Sequence, residues 1–524
     1  MNSLSQKEIN GQLFHLSKEA IRTLVLESKC GLVSSIKPYK KLSPSIDVTT
    51  IGNFSPLLCI YKKSSPNYIH NKNSNGFDED TFRKELCPTT NAMMTLCILE
   101  LIDYYDSFKE IDPKFYSLSE VYRKLSMDQL NFYSSNLRNA EGVFINKKNL
   151  LENNYKGFNL VDKSKKFKFS DQGFMMVSYY LYSQKFPNED ISYEYKKFSL
   201  DILDMFLDFK EKIYECSFEE ICKTLLAINI FYNYSKDNKT QELIVDLTDF
   251  LINKFDEKDY YVDSLDFTSL FVINLVLSYK HTQMISFNEK SKEISKRLAN
   301  LYDEERGIFL KLSSKKDIKY SCLDINFYFL ALMMFAKENN CYNDYKNMLS
   351  SLYRKYYISS GLLPCWPDAP TLDDCDRYRG LTLNSIDMLD ESFFRMPNLA
   401  SPNSCGIAPI FNKTITYSKK KDSFDINSSS FDSYRNMFSF YLFILFFKDD
   451  FILETSLNKV VTSNLDAAIQ YTNDNIELDD IPKELDKNPI QSDYGKDYSF
   501  PSDSLQTNIA LNDSENETTN EDIQ

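Results

Sequence analysis

The chain has 524 residues, 43% of them hydrophobic and 14% aromatic, with a net charge of −14. The segment Tyr471 to Gln524 holds 14 acidic residues against 3 lysines, so 11 of those 14 negative charges sit in the last tenth of the chain. The rest is close to charge balance and carries no basic stripe, only short runs such as Lys163, Lys165, Lys166, Lys168 and Lys419, Lys420, Lys421, which excludes nucleic acid as the expected partner.

The N-terminus, MNSLSQKEINGQLFHLSKEAI, lacks a basic start followed by an apolar run, so no secretory signal is expected. The most apolar stretch, MFSFYLFILFF (Met437 to Phe447), falls well short of the ~20 residues that cross a bilayer and reads as a buried helix. No membrane partner is therefore expected. Eleven scattered cysteines, an odd number and without a leader, point to reduced thiols and a cytoplasmic location.

In chain order, one unit recurs six times: an amphipathic helix, a turn often ending in a glycine and two apolar residues, a loop, and a helix apolar on almost all sides. Ser17 to Ser28 pairs with Thr90 to Tyr105, Ser117 to Tyr133 with Asp171 to Tyr182, and Ser199 to Phe209 with Phe218 to Tyr234. Glu242 to Tyr261 pairs with Asp266 to Tyr279, Glu293 to Leu310 with Cys322 to Ala336, and Tyr345 to Tyr357 with Tyr434 to Phe447. First helices alternate charge with apolar residues, as at Ile294, Leu298 and Leu301, which suits one wet face. Second helices have nearly no polar face and must be covered. The pattern predicts an all-α (α/α)6 toroid over residues 1–454, closed so that no end unit needs a cap, with an open solenoid as the structural alternative. Residues 455–524, rich in Asn, Asp, Ser and Thr, are expected to be a disordered acidic tail, in which Leu457 to Ile469 is a short amphipathic piece.

The links within hairpins are unequal. They are short in hairpins three, four and five, and long in hairpin one (Gly31 to Thr89), two (Gly142 to Ser170) and six (Gly361 to Ser433). Closure makes those three hairpins neighbours, so the long segments are expected to crowd one sector of one rim, where a site belongs. The bland reading is a plug for the ring's mouth or an oligomer contact.

Within the loops the densest constellation is GLLPCWPDAPTLDDCDRYRG, with Trp366, Asp368, Asp373, Asp374, Asp376, Arg377, Tyr378 and Arg379. Carboxylates, guanidinium groups and aromatic faces suit a hydroxyl-rich ligand; local Asp–Arg pairing and turn formation explain them equally. Asn91, Asp171, Glu219, Asp266, Asp324 and Asp432 stand at the starts of second helices, where N-capping competes with catalysis. Asp171 (beside Gln172 and Gly173) and Asp324 (beside Asn326) are the preferred catalytic candidates, with Asp374 as a third. Gln172, Trp366 and the loop residues Asp368, Asp373, Asp376, Arg377, Tyr378 and Arg379 are candidates for binding. Cys30, Cys59, Cys87, Cys365, Cys375, Cys405 and His70 lie in or at the edge of the two longest loops, but without a close Cys-x-x-Cys pair the expectation is independent thiols and no metal. No phosphate-cradling glycine loop stands in the chain, and no cofactor is expected.

This architecture resembles the six-hairpin toroid superfamily, the scaffold of several glycoside hydrolase, glycan lyase, sugar epimerase and isoprenoid-processing families. The resemblance covers Ser17 to Phe447 and rests on the repeat and on the Gly142-Val143-Phe144, Gly307-Ile308-Phe309 and Gly361-Leu362-Leu363 steps. It implies a carbohydrate-active, hydrolase-like protein in which paired carboxylates act on or bind a polyhydroxylated ligand. The departures are a single tryptophan, three scattered histidines, and Asp373-Asp374-Cys375-Asp376, which misses the acidic spacing of isoprenoid cyclases. Asp373-Asp374-Cys375 matches the Asp-x-Cys step of zinc-dependent prenyltransferases but lacks their downstream histidine. The alternative is a non-catalytic binding or assembly module presenting the same rim to a protein partner.

Overall fold

The computed structural model describes residues 5–35, 39, 54–71, 74–110, 112–151, 157–313, 315–367, 406–426 and 430–452. The chain divides into Met1–Ser456 and Leu457–Gln524, and every described residue belongs to the first unit. The tail and the Leu457 to Ile469 piece lie outside the described residues.

Twelve helices of the described residues form six hairpins. The outer helices are α1 (Gln6–Leu26), α3 (Pro113–Asn136), α5 (Asp190–Asp208), α7 (Asn238–Asp256), α9 (Ile285–Ala299) and α11 (Tyr342–Leu352). The inner ones are α2 (Pro88–Asp106), α4 (Phe169–Lys185), α6 (Phe218–Ser235), α8 (Leu265–Thr282), α10 (Cys322–Glu338) and α12 (Ser433–Phe447). Each inner helix packs on the next, and α12 packs back on α2, so the ring is closed: the chain folds as an (α/α)6 toroid. α1 packs against α12 as well as α2, which carries the seam across the first and last hairpins.

Polarity decides position. On α10 almost every side chain from Cys322 to Ala336 is buried, and on α12 the run Asn436 to Ile444 is buried throughout. On α7 only one stripe is, the apolar Leu243, Ile244, Leu247, Leu251 and Phe255 together with Thr240 and Thr248, as expected of a helix with one wet face. α1 departs from that rule. It starts at Ser5, not near Ser17, because Ser5 and Glu8 form a reciprocal capping box, and it is buried on nearly all sides from Ile9 to Leu26. α11 ends earlier than its periodicity predicts. The chain continues as a π turn, Tyr353–Ser359, whose tyrosines send their hydroxyls into the core, Tyr357 to Asn326 Oδ1 at 2.8 Å and Tyr356 to the Phe309 carbonyl at 3.0 Å.

All inner helices begin at the same end, where the intra-hairpin loops run. The strand Lys63–Ser64 of hairpin one pairs antiparallel with Phe431–Asp432 of hairpin six, and Glu85–Leu86 of hairpin one with Lys147–Lys148 of hairpin two. The three long loops thus meet in one sector. A further sheet joins Asp317–Ser321 of hairpin five to Thr414–Ser418 of hairpin six. No described helix is long and apolar enough to cross a membrane, and Met437 to Phe447 lies inside α12.

Candidate functional site at the loop-end mouth

Six helix N-termini converge at the mouth. Their free N–H groups and aligned dipoles make it locally positive, which accounts for the acidic side chains gathered there. Several of those acids stitch one helix to the next. Asp171, in the first turn of α4, is buried and accepts hydrogen bonds from the Thr89 backbone N–H at 3.0 Å and from the Thr89 hydroxyl at the start of α2. The Cys87 thiol lies 3.8 Å from the same oxygen. Burial pushes the Asp171 carboxyl above its usual range, with Lys168 and the Thr89 bonds opposing. The Ser170 N–H of α4 donates to Glu220 of α6 at 2.9 Å, and Ser264, capping α8, donates to Glu219 at 3.2 Å. Lys223 pairs with Glu220 at 2.8 Å; burial alone would raise the Glu220 carboxyl, but the ammonium outweighs it and holds it low.

On the other side of the ring the arrangement differs. Asp324 is buried in the first turn of α10, where it accepts the Ser321 N–H at 2.6 Å and pairs with Lys311 at 2.6 Å. Its neighbour in the ring is Asp266, in the first turn of α8 and partly exposed. The Asp266 carboxyl is pushed up to about 6, first by burial and then by the charge of Asp324, against the Phe267 N–H and Lys311. Asp266 therefore keeps its proton at mildly acid pH, where an ordinary aspartate has lost it. Tyr434, at the second position of α12, is half-buried and stacks edge-on against Phe438 with ring centres 5.7 Å apart. Burial raises its phenol well above 10, and the groups acting on it next are Cys87, Glu220 and Asp266 from α2, α6 and α8. The Tyr434 phenol therefore keeps its proton at neutral pH. Arg435 pairs with Asp432 at 2.9 Å, and its Nε is buried with no hydrogen-bond partner among the described residues.

Of the residues singled out from sequence, Asp171 and Asp324 both reach the mouth, but from α4 and α10, on opposite sides of the ring. Gln172 is a latch: Phe144 N–H donates to its Oε1 at 3.0 Å and its Nε2 donates to the Phe144 carbonyl at 2.8 Å, fixing the Gly142-Val143-Phe144 step. Trp366 is buried within the hydrophobic core. Asp368, Asp373, Asp374, Asp376, Arg377, Tyr378 and Arg379 lie outside the described residues, as do Cys375 and Cys405 and the side chain of His70. Cys30 and Cys59 are buried free thiols. Sequence reasoning placed Asp266 at the mouth without distinguishing it, and passed over Lys223, Lys311, Tyr434 and Arg435. Ring order carried the missing signal for Asp266, since acids opening consecutive inner helices stand side by side.

No known protein family matches the chain, and no curated protein does. Among solved structures it is similar to a D-mannose isomerase (9% identity, 84% of this chain and 98% of that one, TM-score 0.47). It is also similar to a cellobiose 2-epimerase from Bacillus thermoamylovorans (10% identity, 74% and 92%, TM-score 0.42). A third is the GH76 α-mannanase of Bacteroides thetaiotaomicron (8% identity, 73% and 91%, TM-score 0.40). These likenesses are loose, and the toroid is read from the chain's own helix contacts.

Proposed function

We propose that this toroid is a carbohydrate-active, hydrolase-like protein that takes a polyhydroxylated ligand at its loop-end mouth, beside the rim made by hairpins one, two and six. The observation that carries the reading is the Asp266–Asp324 pair on adjacent inner helices. Asp266 holds a proton to about pH 6 and stands as general acid, while Asp324, bonded to Lys311, stands as the second carboxylate. Tyr434 and Lys223 offer donors that a sugar hydroxyl can accept, and the carboxylates accept in return. Asp171, with its bonds spent on α2, serves as a positioning residue.

The test uses the full chain: thermal-shift measurements with a panel of neutral mono- and oligosaccharides, followed by NMR of any stabilising sugar for bond cleavage or configurational change. Turnover that disappears in Asp266→Asn while the ligand-induced shift persists is the expected result. A panel without a single shift, or an Asp266→Asn protein with unaltered turnover, overturns the proposal.

A further inference from the structure

The inner helices meet inside the ring at one level. The sixth residues of α4, α10 and α12 are phenylalanines, and Phe438 of α12 lies with its ring centre 4.9 Å from Phe327 of α10 and 6.0 Å from Phe174 of α4. Between α4 and α12 stands α2, so the Phe174–Phe438 contact crosses the middle of the ring. The sixth residues of α2 and α8, Met93 and Leu270, are apolar too, and all five side chains are fully buried. The ring is therefore filled at this depth and offers no passage to its far end.

One turn above, the second residues of five of the six inner helices are polar: Thr89, Ser170, Glu219, Asp266 and Tyr434. Glu219, Asp266 and Tyr434 meet solvent in part, and Tyr434 stands edge-on to Phe438. The mouth is thus about one helical turn deep, roughly 5.4 Å, with an apolar floor and a wall of helix first turns all round. The long loops of hairpins one, two and six heighten that wall in one sector. A sugar unit inside a chain carries linkages on two sides and needs two lateral exits through such a wall. A free sugar or a terminal unit needs only the open top.

The sixth residue of α6 breaks the floor's pattern. It is Lys223, half-buried and paired at 2.8 Å with Glu220, whose other oxygen accepts the Ser170 N–H of α4 at 2.9 Å. That pairing fixes the ammonium on the side of the mouth where α4 meets α6. An ammonium has three hydrogens to donate, so one ion pair does not exhaust it.

We infer that the mouth is a blind seat for one sugar ring, so that the ligand is a monosaccharide or the terminal unit of a chain entering end-on, with Lys223 as a specificity-determining donor at the floor. The inference deepens the carbohydrate reading above and rests on it for the class of ligand.

The experiment measures calorimetric affinity and Tm of the full chain with D-glucose, D-mannose and D-galactose, with their linear oligosaccharides of two to six units, and with soluble polymers of each at several lengths. For the sugar that binds, affinity should change by no more than a few-fold from the disaccharide to the hexasaccharide. Polymer binding should follow the number of chain ends and not the mass. Lys223→Met should weaken every length by the same factor, about tenfold, the worth of one charge-assisted hydrogen bond. Lys223→Gln, which keeps a donor, should recover part of that loss, and urea unfolding of both variants confirms that they are folded. Affinity that climbs tenfold or more between the disaccharide and the hexasaccharide, or polymer binding that follows mass, overturns the blind seat while leaving the carbohydrate reading in place. Unchanged affinity in folded Lys223→Met overturns the role of Lys223. No binding by any sugar refutes the carbohydrate reading and this inference with it.

Discussion

Replacing Asp266 by asparagine should make the protein more stable at neutral pH, an outcome opposite to that of most substitutions in a first helical turn. The folded protein holds this carboxyl near 6 against an ordinary 3.8. Between those values the folded state keeps a proton that the unfolded chain has released, so stability falls as pH rises from about 4 to 6 and stays lowered above. Two pH units at 1.36 kcal/mol each set a ceiling of about 3 kcal/mol. Part of the group meets solvent, so a gain of about 1–2 kcal/mol is the working figure for Asp266→Asn at pH 7.5. An amide carries no charge to be repelled by Asp324, so the gain should vanish at pH 4. Urea unfolding of both proteins at the two pH values measures it. Asp324→Asn should behave in the other direction, losing about 1–2 kcal/mol at pH 7.5, because that carboxylate caps α10 and neutralises Lys311. If Asp266→Asn is no more stable at pH 7.5, or its advantage is the same at pH 4, the two carboxylates do not share a site in the way described.

At the far end of the ring, Lys448 reaches fully buried Glu100 at 2.7 Å and Asp103 at 2.9 Å, and the Tyr234 hydroxyl of α6 also bonds Glu100. Lys448→Met should cost about 3–5 kcal/mol by stranding the Glu100 charge, and Glu100→Gln added to it should recover most of that loss in chemical denaturation. Gly173 is where α4 approaches α6 closely: an added Cβ would lie 2.9 Å from the Ala227 Cβ. Gly173→Ala should cost about 1–3 kcal/mol and be relieved by Ala227→Gly, as read from Tm. His281 is held neutral to about pH 4, by burial first and then by Lys236 and Lys280. The unfolded chain protonates it near 6.5, so stability should fall as pH drops from about 6.5 to 4, and His281→Gln should flatten that slope by about 1–2 kcal/mol in pH-dependent unfolding.

The ring was legible because burial writes itself into composition. A helix such as α10, with no polar face from Phe327 to Ala336, has to be surrounded, and one such as α9, with Ile294 and Leu298 between lysines and glutamates, has to be on the outside. The convergence of the long loops followed from closure, and the pairings of Lys63 with Asp432 and of Glu85 with Lys148 are its consequence. The start of α1 was equally legible, since Ser5-Gln6-Lys7-Glu8 has the form of a capping box, but its apolar periodicity is diluted by Asn10, Gln12 and His15, which are buried.

The site was harder, for a reason that Asp171 and Asp266 make plain. Locally the two look alike, each a carboxylate in the first turn of an apolar inner helix, and no propensity or period separates them. What separates them is the neighbour. Asp171 meets the unsatisfied N–H of Thr89 across the α2–α4 boundary and is consumed by it. Asp266 feels the charge of Asp324 across the α8–α10 boundary, where Asp324 is already bonded to Ser321 and Lys311, and its carboxyl is held above the ordinary range. The state of each acid at this mouth is therefore decided pair by pair around the ring, by whether it opposes a free backbone donor or another acid.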